Sequence, residues 1–260
     1  MLQGKREHSL AELERPIYAI GDVHGRADLL RALLDAIEAD AEEHVPRIIF
    51  LGDIIDRGPD SKEALELVDE ALDRFPGSQL ILGNHDEYLL HALEGLLTDT
   101  DVMKWLNEHG GRATIDSYLP GAGASIDQFT SFVHQWYDHH HILLRQATDK
   151  VIIGKYCLVH AGIRPGVPIA DQNTYDMRWI REEFLEHQGS FEHVIVHGHA
   201  PTDSGMPEVH ANRIALDTGA CFSDRLTACR LVAREAPTFL VTSVVADVVH
   251  VERRLVEVPR

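Results

Sequence analysis

The sequence predicts an α/β (α+β) protein in which two packed mixed β-sheets are flanked by helices and carry a small helical cap. Three observations lead there. Short apolar runs at Ile17-Tyr18-Ala19-Ile20, Arg47-Ile48-Ile49-Phe50-Leu51 and Gln79-Leu80-Ile81-Leu82 each stop at a glycine followed by hard oxygen or nitrogen donors. The stretches between them repeat apolar residues at helical spacing, and such strand-helix-strand alternation builds a parallel sheet with right-handed crossovers. From Val151 onward the apolar runs are β-branched, partly alternating and separated by short turns, which reads as added antiparallel pairing.

Between Ala27 and Glu43, Leu30, Leu33, Leu34, Ile37 and Ala41 mark the buried stripe of a first linking helix. Pro59-Asp60-Ser61 offers a cap to a second, whose stripe is Ala64, Leu65, Val68, Ala71, Leu72 and Phe75 and whose stop is Pro76-Gly77. From Glu87 to about Tyr137 leucine-rich and aromatic helical stretches alternate with Gly110-Gly111 and Pro120-Gly121-Ala122-Gly123, so residues 87–137 are expected to form the cap. Val151-Ile152-Ile153 and Tyr156-Cys157-Leu158-Val159 flank Gly154-Lys155, a pair that suits a type II′ hairpin. Strands are further expected at His193–Val196, Arg213–Leu216, Leu226–Val232, Phe239–Val245 and Val248–Val251.

At 260 residues one α/β domain spanning residues 1–260 is the expected organisation. A net charge of −18 argues against a non-specific nucleic-acid binder and against docking on an anionic membrane, since both need a basic face. Met1 to Arg15 is charged and lacks an apolar core, so it reads as neither a signal nor a transit peptide, and the expected location is cytoplasmic. Cys157, Cys221 and Cys229 include no close-spaced pair and read as buried free thiols rather than zinc ligands.

The chemistry concentrates where the first three strands end. Gly52-Asp53-Ile54-Ile55-Asp56-Arg57-Gly58 packs two carboxylates and a guanidinium into five positions, just past the strand end where open α/β sheets place ligands. Alone, it reads equally as a turn in which Asp53 or Asp56 caps a helix and Arg57 makes a surface ion pair. The company of Gly21-Asp22-Val23-His24-Gly25 and Gly83-Asn84-His85-Asp86 at two other strand ends favours one convergent metal site.

These three blocks resemble the signature motifs of the metallophosphoesterases of the phosphoprotein phosphatase family, which have the calcineurin-like fold. Val159-His160-Ala161-Gly162 and Val196-His197-Gly198-His199-Ala200-Pro201 resemble that family's remaining histidine motifs, so the similarity runs from about Ile17 to Leu226. The resemblance implies two divalent metal ions, one on Asp22, His24 and Asp53, the other on Asp53, Asn84, His160 and His199. It implies His85 as the acid that protonates the leaving oxygen, oriented by Asp56, with Arg57 and Arg181 binding phosphate and a solvent-derived nucleophile attacking phosphorus in line. Mn²⁺ is the expected activator, with Fe and Zn²⁺ as alternatives. Arg178, near Arg181 in Asp176-Met177-Arg178-Trp179-Ile180-Arg181, is expected to matter little.

His139-His140-His141 falls outside every block and is expected to be a solvated loop; His197 is expected to pack or to support a ligand, and Asp217 to do the same or to hold a strand-end turn. Asp56 favours a bacterial-type serine/threonine protein phosphatase acting on a phosphorylated protein or peptide, or on a small phosphoester. Asp86, in place of the commoner glutamate, keeps a dinucleoside polyphosphate (diadenosine tetraphosphate) hydrolase as the alternative. An inactive metal-binding scaffold ranks third, because ligands, acid, carboxylate and arginine are all present.

Overall fold

The computed structural model describes residues 15–121 and 123–256, so most of the charged N-terminal stretch lies outside the described residues. The opening third folds as its periodicity predicts. Strand β1 (Ile17–Ile20), helix α1 (Ala27–Asp40), β2 (Arg47–Phe50), α2 (Ser61–Arg74) and β3 (Gln79–Leu80) follow in order, and β1–β2 and β2–β3 pair in parallel. Asp60 caps α2 by accepting the Glu63 amide at 3.1 Å. β3 is shorter than expected because at Leu82 the chain turns to pair with Thr148, whose carbonyl accepts the Leu82 amide at 2.9 Å.

Five helices follow: α3 (Asn84–Leu93), α4 (Asp99–Asn107), α5 (Gly111–Tyr118), α6 (Ile126–Trp136) and α7 (Asp138–Gln146). The cap therefore runs past residue 137, and the histidine triplet lies on α7 instead of in a solvated loop. His140 is fully buried, and His139 and His141 only partly exposed. The expectation failed because three polar residues in a row carry no period, while Leu143 and Leu144 further along the same helix supply the apolar face that docks it.

The remainder supplies β4 (Lys150–Ile153), β5 (Tyr156–Val159), the short helices α8 (Thr174–Trp179) and α9 (Glu182–Leu185), β6 (Val194–His197), β7 (Glu208–Val209) and β8 (Arg213–Ala215). A one-turn helix α10 (Ala220–Ser223) leads to β9 (Thr227–Leu231), β10 (Thr238–Val245) and β11 (Val248–Arg254). One sheet has the order β11-β10-β9-β1-β2-β3 and the other β4-β5-β6-β8-β7, so both are mixed. β4 and β5 form the expected hairpin, with Gly154 at φ 59° in its turn.

The period of two along β1 sorts its side chains between two cores. Ile17 and Ala19 join Ile49, Leu51, Leu158, Val196 and Ile214 in the layer between the sheets, while Tyr18 and Ile20 face α1, α2 and the cap with Ile48, Phe50 and Leu33. A third core places Met177, Ile180 and Phe184 against Cys157, Val159 and Ile195 on the outer face of the second sheet. With both faces of each sheet covered, the strand ends are the exposed route to ligands. All three cysteines are free, Cys157 and Cys229 buried and Cys221 only partly so.

Leu33, fully buried on α1, has no room to be replaced from solvent. Leu33→Ala should lower the free energy of unfolding by about 2–5 kcal/mol, measured by chemical denaturation, and the half-buried neighbour Leu34→Ala by clearly less.

Candidate metal centre

The three parallel strands of the first sheet end at Asp22, Asp53 and Asn84, and the parallel strands β5, β6 and β8 of the second end at His160, His199 and Asp217. All six are buried. The loops that carry them are strained: His24, Asp53, Asp56, Arg57 and His199 have φ of 46°, 52°, 72°, 66° and 64° without being glycine. Each such residue costs of order 1–3 kcal/mol and persists where the surroundings force it, a condition that gathers at functional sites.

Asp53 stands in the middle. Its Oδ2 faces His24 Nε2 at 3.7 Å and its Oδ1 faces His160 Nε2 at 3.4 Å, so one carboxylate addresses two groups of donors. On the first side Asp22 Oδ2 lies 4.0 Å from His24 Nε2. On the second, Asn84 Oδ1 lies 3.0 Å from His160 Nε2 and 2.8 Å from His199 Nδ1. His24 and His160 each donate Nδ1–H to a backbone carbonyl, of Ile55 and Leu51, both at 2.8 Å, which turns Nε2 and its lone pair inward. His199 Nε2 is buried with no hydrogen-bond partner.

Electrostatics point the same way. Burial pushes the Asp22 carboxyl well above its usual range, and the neighbouring Asp217 and Asp53 charges add to it. Burial also raises Asp53, opposed by the nearby His85. The imidazoles are pushed down by burial, His160 to about 4 and His24 and His199 well below normal. Carboxyls raised by burial and imidazoles kept neutral by it form a donor set in which a divalent cation would favour the ionised acids and the free imidazole lone pairs. The walls are close: a Cβ on Gly198 would lie 2.0 Å from Asp22 Oδ1, and one on Gly83 would lie 2.2 Å from Asp53 Oδ1. The residues present therefore fit two divalent ions sharing Asp53. By distance His85, with Nε2 3.9 Å from Asp53 Oδ2, could join the first group as well.

His85 Nδ1 is engaged elsewhere, donating to Asp56 Oδ2 at 2.7 Å. Asp56 also accepts Trp105 Nε1–H at 2.8 Å and the Thr114 hydroxyl at 2.6 Å, both from the cap. Burial lifts the Asp56 carboxyl to about 7, and these two donors and Arg57 pull it back. His85 itself is lowered to about 4, first by burial. Trp105 and Thr114 are site residues that carry no sequence signal, since each lies some fifty residues from Asp56 on a helix of ordinary composition. Asp86 accepts the amides of Asp53 at 2.7 Å, Ile54 at 2.9 Å and Gly83 at 3.1 Å, so the fourth position of its block clamps the second motif loop onto the third.

Arg57 Nη1 donates to His24 Nε2 at 2.7 Å and Nη2 to His85 Nε2 at 3.0 Å, placing the guanidinium at the mouth of the pocket. Arg181 is exposed at the rim, 3.4 Å from the His199 carbonyl. Arg178 bridges Glu87 and Asp149 at 2.5 Å each. His197 packs edge-on against Phe184, centroids 5.0 Å apart, and takes no part in the cluster. Asp217 accepts the Gly219 amide at 2.9 Å, forming the expected strand-end turn beside Asp22.

The sequence profile of the calcineurin-like phosphoesterases matches residues 15–229. The chain belongs to that family. Members of that family are metallophosphoesterases that use a dinuclear divalent metal centre. Among curated relatives, the symmetrical bis(5'-nucleosyl)-tetraphosphatase of Methylococcus capsulatus is 31% identical over 184 residues, covering 70% of this chain and 51% of that protein. The one from Nitrosospira multiformis is 26% identical, covering 84% and 94%. An asymmetrical bis(5'-nucleosyl)-tetraphosphatase of Oceanobacillus iheyensis is 29% identical, covering 83% and 88%. The matched region thus spans about half the length of the first of these relatives. Among solved structures, one assigned provisionally as a diadenosine tetraphosphatase superposes with a TM-score of 0.56 at 19% identity, covering 84% of this chain and 90% of that one. A cold-active protein tyrosine phosphatase gives 0.51 at 18%, covering 87% and 75%. Both share the fold. No helix among the described residues is long and apolar enough to cross a membrane.

Trp105→Phe keeps most of the volume and removes one donor from a buried carboxylate. It should cost about 1–3 kcal/mol of stability by calorimetry, with metal content unchanged by elemental analysis.

Proposed function

We propose that the chain hydrolyses dinucleoside polyphosphates, with bis(5'-nucleosyl) tetraphosphates as the substrate class. This reverses the order reached from sequence, where Asp56 placed a serine/threonine protein phosphatase first. The names of the curated relatives favour nucleotides, and the observation that carries the reading is a strip of aromatic rings leading away from His85. His109 lies edge-on to His85 at 5.4 Å, Tyr88 is 5.1 Å from His109, and Trp179 is 6.0 Å from Tyr88. Tyr175 stacks on Trp179 with centroids 6.2 Å apart and planes at 15°, and it is 69% exposed.

Such a strip offers nucleobases a stacking surface at a distance from the phosphates, where a phosphopeptide would need hydrogen-bonding edges for its backbone. The strip is held in place from below. Glu87 accepts Trp179 Nε1–H at 3.0 Å and pairs with Arg178, so the indole cannot turn freely. That is the role assigned here to Arg178, and it accounts for a charged residue beside the aromatic.

In this reading Asp22, His24 and Asp53 hold one divalent ion and Asp53, Asn84, His160 and His199 hold the other, with Mn²⁺ as the expected activator. When bound, the ions supply Lewis-acid polarisation of the phosphoryl group and a water acidic enough to act as nucleophile near neutral pH. Arg57 and Arg181 bind phosphate oxygens from the mouth and rim, the first by its two terminal nitrogens. His85, steered by Asp56, gives a proton to the departing oxygen from Nε2 once Arg57 leaves that nitrogen for a phosphate oxygen and the ring is protonated. The leaving group of a polyphosphate is itself a stabilised phosphate anion and needs that proton far less than a serine alkoxide does. A serine/threonine phosphatase remains the second reading, supported by the complete His85–Asp56 pair.

Initial rates decide between them. Diadenosine tetraphosphate should be cleaved with a kcat/KM at least 100-fold above that of phosphoserine, phosphothreonine and phosphotyrosine peptides; a peptide preferred over the dinucleotide overturns the proposal. Tyr175→Ala should raise KM for the dinucleotide by about 5- to 100-fold, the worth of one base stacked on an aromatic ring, and leave p-nitrophenyl phosphate hydrolysis unchanged. Asp53→Asn should lower occupancy of both ions in elemental analysis, whereas His24→Ala should lower chiefly one.

A further inference from the structure

Helices α2 and α7 bring together three side chains that share no residue with the metal centre described above. His139 Nε2 lies 3.1 Å and 3.2 Å from the two oxygens of Glu66, and His140 Nε2 lies 3.4 Å from Glu66 Oε1. We propose that Glu66, His139 and His140 form a separate binding site for one first-row divalent transition ion, Zn²⁺ by preference, that ties the cap to the βαβ frame.

The distances suit a shared ion. Ligands at about 2.0–2.2 Å in a tetrahedral shell hold their donor atoms roughly 3.4 Å apart. Two imidazoles and a carboxylate are a donor set that zinc uses with a fourth position open to water. His139 is 42% exposed in its side chain, so this position faces solvent. Asp69, one turn beyond Glu66 on α2, adds negative charge next to His139. Lys62, on the same helix, has its ammonium over the Tyr137 ring at 5.7 Å.

His140 supplies an independent observation. It is fully buried, its Nδ1 is hydrogen-bonded to the Tyr118 hydroxyl at 2.5 Å, and its Nε2 has no partner of its own. The phenol can accept Nδ1–H, which leaves a lone pair on Nε2 directed at a carboxylate. A lone pair facing an anion is repulsive, and a cation between them makes the same arrangement attractive. His141 does not join the group; it turns toward Glu94 and Asp138, 3.7 Å from each.

The test counts ions and locates them. Protein with its central site filled should bind one further Zn²⁺ per chain in equilibrium dialysis with elemental analysis. His139→Ala, at a half-exposed position, and the isosteric Glu66→Gln should each lose that ion or bind it at least tenfold more weakly, while keeping the ions of the central site. Crystals soaked in Zn²⁺ should show an anomalous peak between Glu66, His139 and His140. The same ion count in wild type and both variants, or anomalous peaks confined to the central site, would overturn the proposal, and a peak in crystals without a difference in solution would count against it equally.

Discussion

Five carboxylates, Asp22, Asp53, Asp56, Asp86 and Asp217, lie buried at the strand ends of two packed sheets, and keeping them there is the constraint that organises the molecule. An uncompensated buried charge is far too costly to retain, so each acid needs donors within reach. Asp86 is answered by three backbone amides, Asp56 by an indole, a hydroxyl and an imidazole, and Asp22 by the His199 amide at 3.0 Å. Asp53 accepts the His85 amide at 2.9 Å and turns its two oxygens toward the imidazoles of His24 and His160, an arrangement that a shared cation would stabilise. The left-handed backbone at His24, Asp53 and His199 is the cost of aiming the donors at that point.

The cap belongs to the site. Its helices α4 and α5 reach back to hold Asp56 through Trp105 and Thr114, and Gly111 lets the indole approach, since a Cβ there would lie 2.5 Å from the ring. Asp56 in turn sets the His85 ring, which stands edge-on to His24 at 4.7 Å. A helical insertion of no evident chemistry therefore fixes the orientation of the His85 imidazole beside Asp53. The same cap presents His109 to the aromatic strip, so it shapes both the reacting end and the outer wall of the pocket.

The fold leaves the substrate open. One solved structure superposing on this chain is assigned provisionally as a diadenosine tetraphosphatase and another is a protein tyrosine phosphatase, with TM-scores of 0.56 and 0.51. What separates such enzymes is what stands around the metal centre, and here that is a ring strip braced by Glu87 and Arg178, with arginines at the mouth and rim.

The sequence by itself determined the frame and the donors. Apolar runs ending in Gly-Asp, Gly-Asp and Gly-Asn located three parallel strands, helical periodicity located α1 and α2, residue chemistry singled out Asp22, His24, Asp53 and Asn84, and the family resemblance added His160 and His199; the structure brings all six together. These features are legible because period and strand-end chemistry are local, written within a few residues. Tertiary structure alone decided that Trp105 and Thr114 serve Asp56, that Asp86 clamps the second motif loop, that Arg178 braces Trp179 and that His140 is buried against Tyr118. Each of these depends on a contact between residues separated by tens of positions, and whether a polar side chain meets water or a partner there is fixed by how helices and sheets pack, which no local pattern records.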